Sequence, residues 1–364
     1  MTRTGRDDDR GVALLIVLLV IALLTVVVVE FTYSAQVETH VALSGRNALQ
    51  AYYLARSGVN IAEAILIRDA ELGPADGELD LWAQPLPPLP VGDGTAAIRI
   101  RDEARALNLN AIVSAGFVRE ERRQIFERLF DVLGIDRRIL AAIVDWIDPD
   151  EEPWSTPLGA EQPYYLGLTP PIRIRNGPLL TFRELLLVRG MTPTVLDRLD
   201  GFVTVLPPGL LRVNVNTAAP EVLYALSAGL SADPGVVDRL VAARREAPFT
   251  SPGEVYDGVP GFREALGSSS DFLDTKSMYF RIEAVGTVNA VERGIVTQVR
   301  RDTSLRPRIT RVTWAPSAMG LSLTSGSPSD FLDTLPSLGD EERPAFTSET
   351  DAHREPPASG GGTR

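Results

Sequence analysis

The sequence predicts an α+β fold in which a long N-terminal helix packs on a small antiparallel sheet and a large, mostly α-helical segment is inserted into that sheet. Three observations favour this fold. An apolar run at the start continues into a helical pattern, strand-like alternation occurs on both sides of a long middle segment, and that segment repeats itself. With 364 residues, 44% of them hydrophobic, the chain is long enough for two or more cores.

The first element is an apolar run, Val12 to Val29, which no charged residue interrupts. At about 1.5 Å per residue a helix of this length spans about 27 Å, close to the hydrocarbon thickness of a bilayer. Basic residues precede the run at Arg3, Arg6 and Arg10, and the next basic residue is Arg46. Because positive residues favour the cytoplasmic side, we expect the bulk of the chain to be exported. An ordinary uncleaved anchor is the alternative at this point.

The helical pattern continues beyond the apolar run to about Ala70. Apolar residues recur there at steps of three and four, namely Val37, Val41, Ala48, Tyr52, Ala55, Val59, Ala62 and Ile65. A helix with one apolar face must lie against a globular body. We therefore expect residues 12–29 to cross the membrane and residues 30–72 to form an amphipathic helix outside it.

Alternating residues predict strands in two separated places. Ala96 to Arg101 alternates before the middle segment, and Tyr279 to Arg300 indicates two strands joined across Asn289 to Gly294. Arg311 to Trp314 is a candidate for a further strand. These strands would form one sheet, so the segment between them must fold as an insertion. The resulting boundaries are 73–106 and 276–315 for the two parts of the sheet and 107–275 for the insertion.

The insertion contains two related halves. Leu107-Asn108-Leu109-Asn110 returns as Val213-Asn214-Val215-Asn216. Each copy is followed by two predicted helices and a glycine-containing hairpin. These are Gln124–Leu133, Arg137–Trp146 and Phe182–Gly190 in the first half, and Pro220–Ala228, Val236–Arg245 and Phe249–Gly261 in the second. This order predicts two helix-hairpin-helix-like units.

The C-terminal segment has a different composition from the rest of the chain. From about Pro316 it is rich in serine, threonine, glycine, proline and acidic residues. Little apolar area is available there to offset the entropy of ordering the chain. We therefore expect residues 316–364 to form a flexible tail.

Composition argues against an enzyme. The chain has no cysteine, its two histidines are His40 and His353, and no G-x-S-x-G motif occurs. Cysteine chemistry, a Ser-His-Asp triad and a histidine-ligated zinc site therefore lack their parts. The single lysine, Lys276, follows no glycine-rich loop and has Leu273 rather than serine three residues before it. A carboxylate-only enzyme that uses the acidic loop after Trp146 is left open as an alternative.

The charge balance argues against a nucleic acid partner. The net charge is −12, which disfavours binding to a polyanion. The two helix-hairpin-helix-like units nevertheless leave a membrane-anchored DNA-binding protein as an alternative, because such hairpins bind phosphate through backbone N–H groups. At the hairpin Gly258 to Gly261, however, Arg263 is offset by Glu254, Asp257 and Glu264. No nucleic acid partner is expected.

Several short motifs carry a family resemblance. They are RGVALLIVLLVIALL at the start, Ala51–Gly58, Val144–Asp148, Gly159–Glu161, Leu187–Gly190 and Val213–Ala218. In this combination the chain, from about residue 10 to about residue 300, resembles the K-type minor pseudopilins of the type II secretion system. These proteins have a type IV pilin-like fold with a large helical insertion, which is the layout predicted above.

The resemblance implies processing at the N-terminus. Residues 1–11 would be a prepilin leader, prepilin peptidase would cut after Gly11, and Val12 would become the first, methylated, mature residue. Most pilin-like subunits carry glutamate at the fifth mature position, where it is thought to neutralise the terminal amine of a neighbour, whereas this chain has Ile16. An unpaired charge in a membrane costs several kcal/mol. A subunit without this glutamate is therefore suited to cap the tip of the filament, where no subunit lies ahead of it.

The resemblance also implies a location and partners. The chain would be a single-pass protein of the bacterial inner membrane, with a cytoplasmic N-terminus and a periplasmic bulk, and would take part in protein export across the outer membrane. Its partners would be the I-type and J-type minor pseudopilins, the major pseudopilin, prepilin peptidase and the inner-membrane assembly platform. The candidate residues of the partner-binding helix are Val37, Val41, Ala48 and Tyr52.

Members of this family hold calcium in the insertion through acidic loop residues. The corresponding candidates here are Asp148, Asp150, Glu151, Glu152 and Glu161. Calcium takes six to eight oxygen ligands, and carboxylates crowded on one loop repel unless a cation screens them. This chain has the neutral Gln162 where the family commonly has an acidic residue. The alternative is a solvated acidic loop capped by Trp154 and Tyr164.

Overall fold

The computed structural model describes residues 8–154, 159–209, 211–302, 307–313 and 315–317. In chain order its elements are α1 (Asp8–Leu72), β1 (Leu89–Val91), β2 (Gly94–Asp102), β3 (Leu107–Asn108), β4 (Val113–Ser114), β5 (Phe117–Val118), α2 (Glu120–Val132), α3 (Arg138–Ile147), α4 (Gln162–Leu166), α5 (Pro193–Leu199), β6 (Val203–Thr204), β7 (Val213–Asn214), α6 (Pro220–Ala225), α7 (Ala228–Ala232), α8 (Pro234–Glu246), α9 (Pro252–Gly258), α10 (Phe262–Leu266), β8 (Leu273–Asp274), β9 (Tyr279–Val288), β10 (Val291–Arg301), β11 (Ile309–Arg311) and β12 (Ala315–Ser317). Short 3-10 helices lie at Leu109–Ala111, Phe182–Leu187 and Gly267–Phe272.

Helix α1 is continuous over 65 residues, a length of about 97 Å at 1.5 Å per residue. The prediction of one helix that runs through the apolar segment and beyond it is therefore confirmed. Side chains from Val12 to Arg46 are exposed, and this part of the helix is long and apolar enough to cross a membrane. The second part of the helix packs on the sheet.

The sheet is antiparallel, with strand order β1-β2-β9-β10-β11, and β12 also pairs with β10. Strands β2 and β9 are direct neighbours, with Gly94 opposite Val288 at one end and Asp102 opposite Phe280 at the other. The long segment between these two strands therefore leaves and re-enters the sheet at one end. This arrangement confirms the predicted insertion.

Three details of the sheet differ from the sequence-based expectation. The β9–β10 turn consists of Asn289 and Ala290 alone, with φ of 48° and 65°, so the four residues that follow belong to β10 rather than to the turn. Two positive φ values define a turn whose twist matches that of the flanking strands. The strand expected at Arg311 to Trp314 instead ends at Arg311, and Trp314 lies outside the described residues. The predicted tail begins with a strand residue, because β12 extends to Ser317, and residues 318–364 lie outside the described part.

Small residues allow α1 to lie close to the sheet. The packed face of the helix has no exposed area at Ala51, Ala55, Val59, Ala62 and Leu66, which are spaced by three or four residues as one helix face requires. A Cβ placed on Gly286 of β9 would lie 2.0 Å from the carbonyl oxygen of Ala51. Only glycine fits at this contact, so the close approach of helix and sheet depends on it.

The two halves of the insertion share a construction. Strand β3 pairs in parallel with β6, and β7 pairs in parallel with β8. In the first half the Asn110 side chain accepts a hydrogen bond from the Leu179 backbone N–H at 2.8 Å, and in the second half Asn216 accepts one from Phe249 at 2.9 Å. The repeated asparagines thus tie each opening strand to its own hairpin. The backbone N–H groups that these side chains bind are buried and must be paired. Both halves of the insertion meet this need with an asparagine at the same place in the repeat.

The second half differs from prediction in one helix. The expected helix Pro220–Ala228 is divided into α6 and α7, because the Ser227 hydroxyl accepts a hydrogen bond from the Leu230 backbone N–H and starts a new helix. Serine is a favoured residue at such a helix start. The predicted helices Gln124–Leu133, Arg137–Trp146 and Val236–Arg245 correspond to α2, α3 and α8. The ends differ by one or two residues, except that α2 begins at Glu120, before the predicted start.

The sheet and the insertion meet in a buried polar network. The Asp102 carboxylate, at the end of β2, accepts hydrogen bonds from Asn214 Nδ2 at 3.1 Å and Thr217 Oγ1 at 2.6 Å. Asn214 Nδ2 also donates to the Asp76 carbonyl oxygen at 3.0 Å. Burial raises the pKa of Asp102 to about 6. The first asparagine of the second repeat therefore joins the insertion to the body of the chain, which consists of α1 and the large sheet.

Candidate functional site

The acidic loop begins at the end of α3 and is held in place by Asp145. This side chain is fully buried, and its carboxylate accepts hydrogen bonds from the Trp154 backbone N–H at 2.7 Å and the Ala160 backbone N–H at 2.6 Å. Both ends of the loop therefore lie beside α3. The sequence pattern does not single out Asp145, although it lies only three residues before Asp148, the residue that follows α3.

The structure brings three of the five predicted carboxylates together. Asp148, Asp150 and Glu161 each offer a carboxylate oxygen, and these atoms all lie within 4.8 Å of one another. Asp148 and Glu161 are 2% and 3% exposed. Glu151 and Glu152 are exposed and do not belong to this group of three. Residues 155–158 of the loop lie outside the described residues.

The two buried carboxylates of this group are short of hydrogen-bond donors, whereas the exposed Asp150 accepts a hydrogen bond from the Glu152 backbone N–H at 2.9 Å. Among the residues that the structure describes, no group donates to Asp148 Oδ1 or to either carboxylate oxygen of Glu161. The pKa of Glu161 is raised to about 8 and that of Asp148 to about 7. Burial is the largest cause for both, and repulsion from neighbouring carboxylates adds to it. A buried carboxylate that has neither a hydrogen-bond donor nor a counterion destabilises the fold. A divalent cation would satisfy these oxygens and remove the repulsion, and their hard oxygen chemistry suits calcium.

Neighbouring residues brace the loop from outside the group. The Arg189 guanidinium donates from Nη1 to the Gly159 carbonyl oxygen at 3.1 Å and lies 4.5 Å from the centre of the Tyr164 ring. The Gln162 side chain donates from Nε2 to the Ile172 carbonyl oxygen at 3.1 Å. The side-chain amide of Gln162 therefore holds the backbone at Ile172.

The candidate residues on α1 fall into two environments. Val37 and Val41 are 42% and 67% exposed, whereas Ala48 is half-buried. Tyr52 packs partly against the apolar cluster between α1 and the sheet. Of these four candidates, Val37 and Val41 thus present exposed apolar side chains, at a part of the helix that precedes its contact with the sheet.

The leader and the N-terminal positions lie at the start of the same helix. Residues 1–7 lie outside the described residues, and Gly11 is inside α1. Val12 and Ile16 are 57% and 56% exposed. Ile16 therefore presents an aliphatic side chain at the helix surface, one turn beyond the predicted first mature residue.

The hairpin considered for DNA binding uses its arginines internally. The Arg263 guanidinium lies 4.7 Å from the centre of the Tyr256 ring, and Arg239 donates from Nη2 to the Pro260 carbonyl oxygen at 3.0 Å. Gly261, with φ of 80°, starts α10. These contacts stabilise the hairpin and give no support to the DNA-binding alternative.

The fold defines a class of protein. A pilin-like subunit has one long helix, whose first part is apolar and exposed and whose second part packs on an antiparallel sheet. This chain has that architecture, enlarged by a helical insertion. Two sequence models described as "Type II secretion system (T2SS), protein K" match residues 105–208 and 213–276.

Relatives support the same family. The chain is 28% identical to the type II secretion system protein K of Pseudomonas aeruginosa over 332 residues, which cover 88% of this chain and 97% of that protein. It is 35% identical to the protein K of Klebsiella pneumoniae over 67% of this chain and 77% of that protein. The chain belongs to the type II secretion system protein K family.

A solved structure shares the fold. The crystal structure of the GspK-GspI-GspJ complex from enterotoxigenic Escherichia coli contains a chain that aligns with a TM-score of 0.61 and 23% identity, covering 76% of this chain and 99% of that one. The predicted fold class and the family resemblance are confirmed. The chain is therefore a minor pseudopilin of type II secretion. This family consists of structural subunits and is not known for enzymatic activity. The apolar helix of the chain fits a membrane anchor.

Proposed function

We propose that this minor pseudopilin caps the tip of the pseudopilus and in that position takes part in protein export across the outer membrane. The observation that carries the proposal is the exposed Ile16 at the fifth position after Gly11. A carboxylate at this position would pair with the terminal amine of the subunit ahead, and an aliphatic side chain offers no such pair. Since an uncompensated charge in the membrane is costly, addition ahead of this subunit is disfavoured.

The position of the insertion supports the capping role sterically. The insertion leaves the sheet at Asp102 and returns at Tyr279, which lie at the same end of the sheet as Arg301. Arg301 contacts Leu66 and Asp69, close to the C-terminal end of α1. The head formed by the insertion therefore lies at the end of the body remote from the membrane segment. There it would cover the surface on which a further subunit would be added.

Processing and location follow from the same proposal. Prepilin peptidase would remove residues 1–11, and the mature chain, beginning at a methylated Val12, would lie in the bacterial inner membrane with its head in the periplasm. It would engage the assembly platform and the major pseudopilin from this position. The arginines at positions 3, 6 and 10, before the apolar run, favour this orientation.

The tip position is tested by labelling. A gold particle is attached to an affinity tag on the full chain, which is assembled with the major pseudopilin, and the filaments are imaged. We expect the label at one filament end. Labels distributed along the filament body would contradict the capping role, and an N-terminal sequence that does not begin at Val12 would contradict the pilin-like processing.

We further propose that the chain binds the I-type and J-type minor pseudopilins through the exposed apolar surface at Val37 and Val41. The solved complex of a protein with the same fold contains chains named GspI and GspJ. Ala48 and Tyr52 would lie at the border of this interface, because both are partly covered by the body.

The interface is tested by a charge substitution on α1. Val41→Glu is expected to lower the recovery of the I-type and J-type subunits with the full chain at least tenfold, because a carboxylate would be buried without a partner. Thr39→Glu is the control, since Thr39 is also exposed but lies about 200° around the helix. Co-purification that is equally strong with both variants would place the interface elsewhere.

A further inference from the structure

The chain contains one six-residue sequence twice. Ser270-Asp271-Phe272-Leu273-Asp274-Thr275 in the head is repeated without change as Ser329-Asp330-Phe331-Leu332-Asp333-Thr334 in the C-terminal segment. The first copy lies within the described residues and has a defined structural role. Its contacts therefore show what the second copy is chemically able to bind.

The first copy fills a slot at the junction between head and body. It forms the end of a 3-10 helix and strand β8, which pairs in parallel with β7. Leu273 is 3% exposed and belongs to the core of the head. The Asp274 carbonyl oxygen accepts a hydrogen bond from the Val215 backbone N–H at 3.0 Å, and the Thr275 carbonyl oxygen accepts one from the Asp76 backbone N–H at 2.8 Å.

Side chains of the same six residues complete the slot. Thr275 Oγ1 donates to the Thr250 carbonyl oxygen at 3.2 Å, and Arg212 Nη1 donates to the Asp274 carboxylate at 3.1 Å. Leu273, Asp274 and Thr275 all belong to the repeated sequence, so the second copy carries the same groups. Main-chain pairing together with a pocket for one apolar side chain is the general mode by which a peptide is added to a sheet edge.

The residues after the repeat decide which copy is favoured. Ser277 donates its backbone N–H to Asp76 Oδ2 at 2.7 Å and accepts a hydrogen bond from Asn214 Nδ2 at 2.9 Å. The corresponding tail residue is Pro336, which has neither a backbone N–H nor a hydroxyl. The first copy therefore holds the slot more strongly, and the second is a weaker competitor with the same core contacts.

The second copy is tethered within range of the slot. Residues 318–328 join Ser317 of β12 to the repeat, and a link of this length spans at most about 40 Å. Ser317 lies opposite Gly294 on β10. The path along β10 from Gly294 to Arg300, which lies opposite Tyr279, is about 20 Å. The tether also gives a high effective concentration, which favours competition within one chain over competition between chains.

We propose that the segment Ser329–Thr334 is a second strand for the β7 slot, so that this junction between head and body exchanges between an internal and a C-terminal copy of one sequence. When the C-terminal copy is bound, residues 270–275 are released and the direct connection from the head to β9 is loosened. The proposal assigns a binding partner to the C-terminal segment and does not depend on the tip position.

The exchange is tested by disulfide trapping, for which a chain without cysteine is well suited. In the full chain in detergent, Arg212→Cys is combined with Asp333→Cys and exposed to oxidised glutathione. Arg212 and Asp274 are in side-chain contact, and their side chains are 63% and 28% exposed, so Asp333 would reach Arg212 if the second copy occupies the slot. The control combines Arg212→Cys with Asp340→Cys, an acidic position beyond the repeat.

We expect the Asp333 pair to form an intramolecular disulfide at least tenfold faster than the Asp340 pair. Adding Leu273→Ala should raise the rate further, because the internal copy loses its buried side chain, and adding Leu332→Asp should abolish the difference. Equal rates for the two pairs, or no response to Leu273→Ala, would overturn the proposal. Disulfides formed between chains rather than within one would also overturn it.

Discussion

Replacing Arg301 by alanine is expected to lower the free energy of unfolding by about 3–5 kcal/mol. The Arg301 side chain is fully buried at the end of β10. Its guanidinium contacts the Asp76 carboxylate through Nη2 and donates from Nη1 to Asp69 Oδ2 at 3.0 Å. The substitution would leave Asp76, which is 1% exposed, as a buried carboxylate without its counterion.

The same guanidinium connects three parts of the fold. It donates to the carbonyl oxygens of Leu66 in α1 at 3.2 Å and Ser277 before β9 at 3.1 Å, and it lies 4.6 Å from the centre of the Phe280 ring. Its loss would therefore loosen the end of α1, the loop that carries Asp76 and the return of the chain from the head. A loss near the upper end of the range is expected for this reason.

The neighbouring Arg300 gives a matched control. It has the same charge on the same strand but is exposed, so Arg300→Ala should change the free energy of unfolding by no more than about 0.5 kcal/mol. Unfolding of the full chain in detergent by urea, followed by tryptophan fluorescence, measures both. Combining Arg301→Met with Asp76→Asn should restore part of the loss, since no charge then remains buried at position 76, and only part because Asp69 still lacks its partner. Similar losses for Arg301→Ala and Arg300→Ala would show that the buried pair contributes no stability.

The extent to which this fold could be predicted depends on the distance between interacting residues in the chain. The long helix and the paired strands leave periodic patterns in the sequence, and the structure confirms both. The Arg301 network joins α1 to β10 across more than 200 positions of the chain. Strand alternation places Arg301 on the same face as Thr297 and Val299, but no local pattern identifies Asp69 and Asp76 as its partners. That pairing is decided by tertiary packing, which a single sequence does not display.

The turn between β9 and β10 is shorter than the sequence pattern predicts, for a local reason. Positive φ at both central residues is usually signalled by glycine, and here the second residue is Ala290 with φ of 65°. Gly294, which suggested a longer turn, is a strand residue instead.

The candidate site shows the same division. Acidic residues of the loop are visible in the sequence, but their grouping depends on how the loop folds back on α3. Asp145, which fixes that fold, lies within an apolar helix and resembles a single interruption of its pattern. Glu151 and Glu152 are adjacent to the group in sequence and yet point to a solvated surface. The structure thus groups Asp148, Asp150 and Glu161 and leaves the two adjacent glutamates outside this group, while cation binding itself stays a prediction.

Calcium is expected to stabilise the chain through the loop carboxylates, an extension of the proposed function that the grouped oxygens of Asp148, Asp150 and Glu161 support. At free calcium concentrations of about 100 to 1,000 times the dissociation constant, binding to the native state alone adds about 2.7–4.1 kcal/mol to the free energy of unfolding. Glu161→Gln should remove most of this gain. Glu152→Gln, a change of the same charge at an exposed neighbouring position, should leave it intact.

The pH dependence without calcium has a definite sign. The folded pKa of Glu161, about 8, lies above the ordinary value of about 4.3, so the fold favours the protonated carboxyl. Its contribution to stability is complete below about pH 4 and is lost as the pH rises through about 8. In the presence of a chelator, the free energy of unfolding of the parent chain should therefore fall relative to that of Glu161→Gln between about pH 5 and pH 8.

Calcium should reverse this dependence, because the cation favours the ionised carboxylates, which burial and mutual repulsion otherwise penalise. Thermal unfolding of the full chain in detergent, measured with calcium and with chelator at about pH 5 and pH 8, gives both comparisons. A solvated acidic loop without a cation site predicts a different outcome. In that case Glu161→Gln and Glu152→Gln would respond to calcium equally, and the cation proposal would fail while the fold and family of the chain would stand.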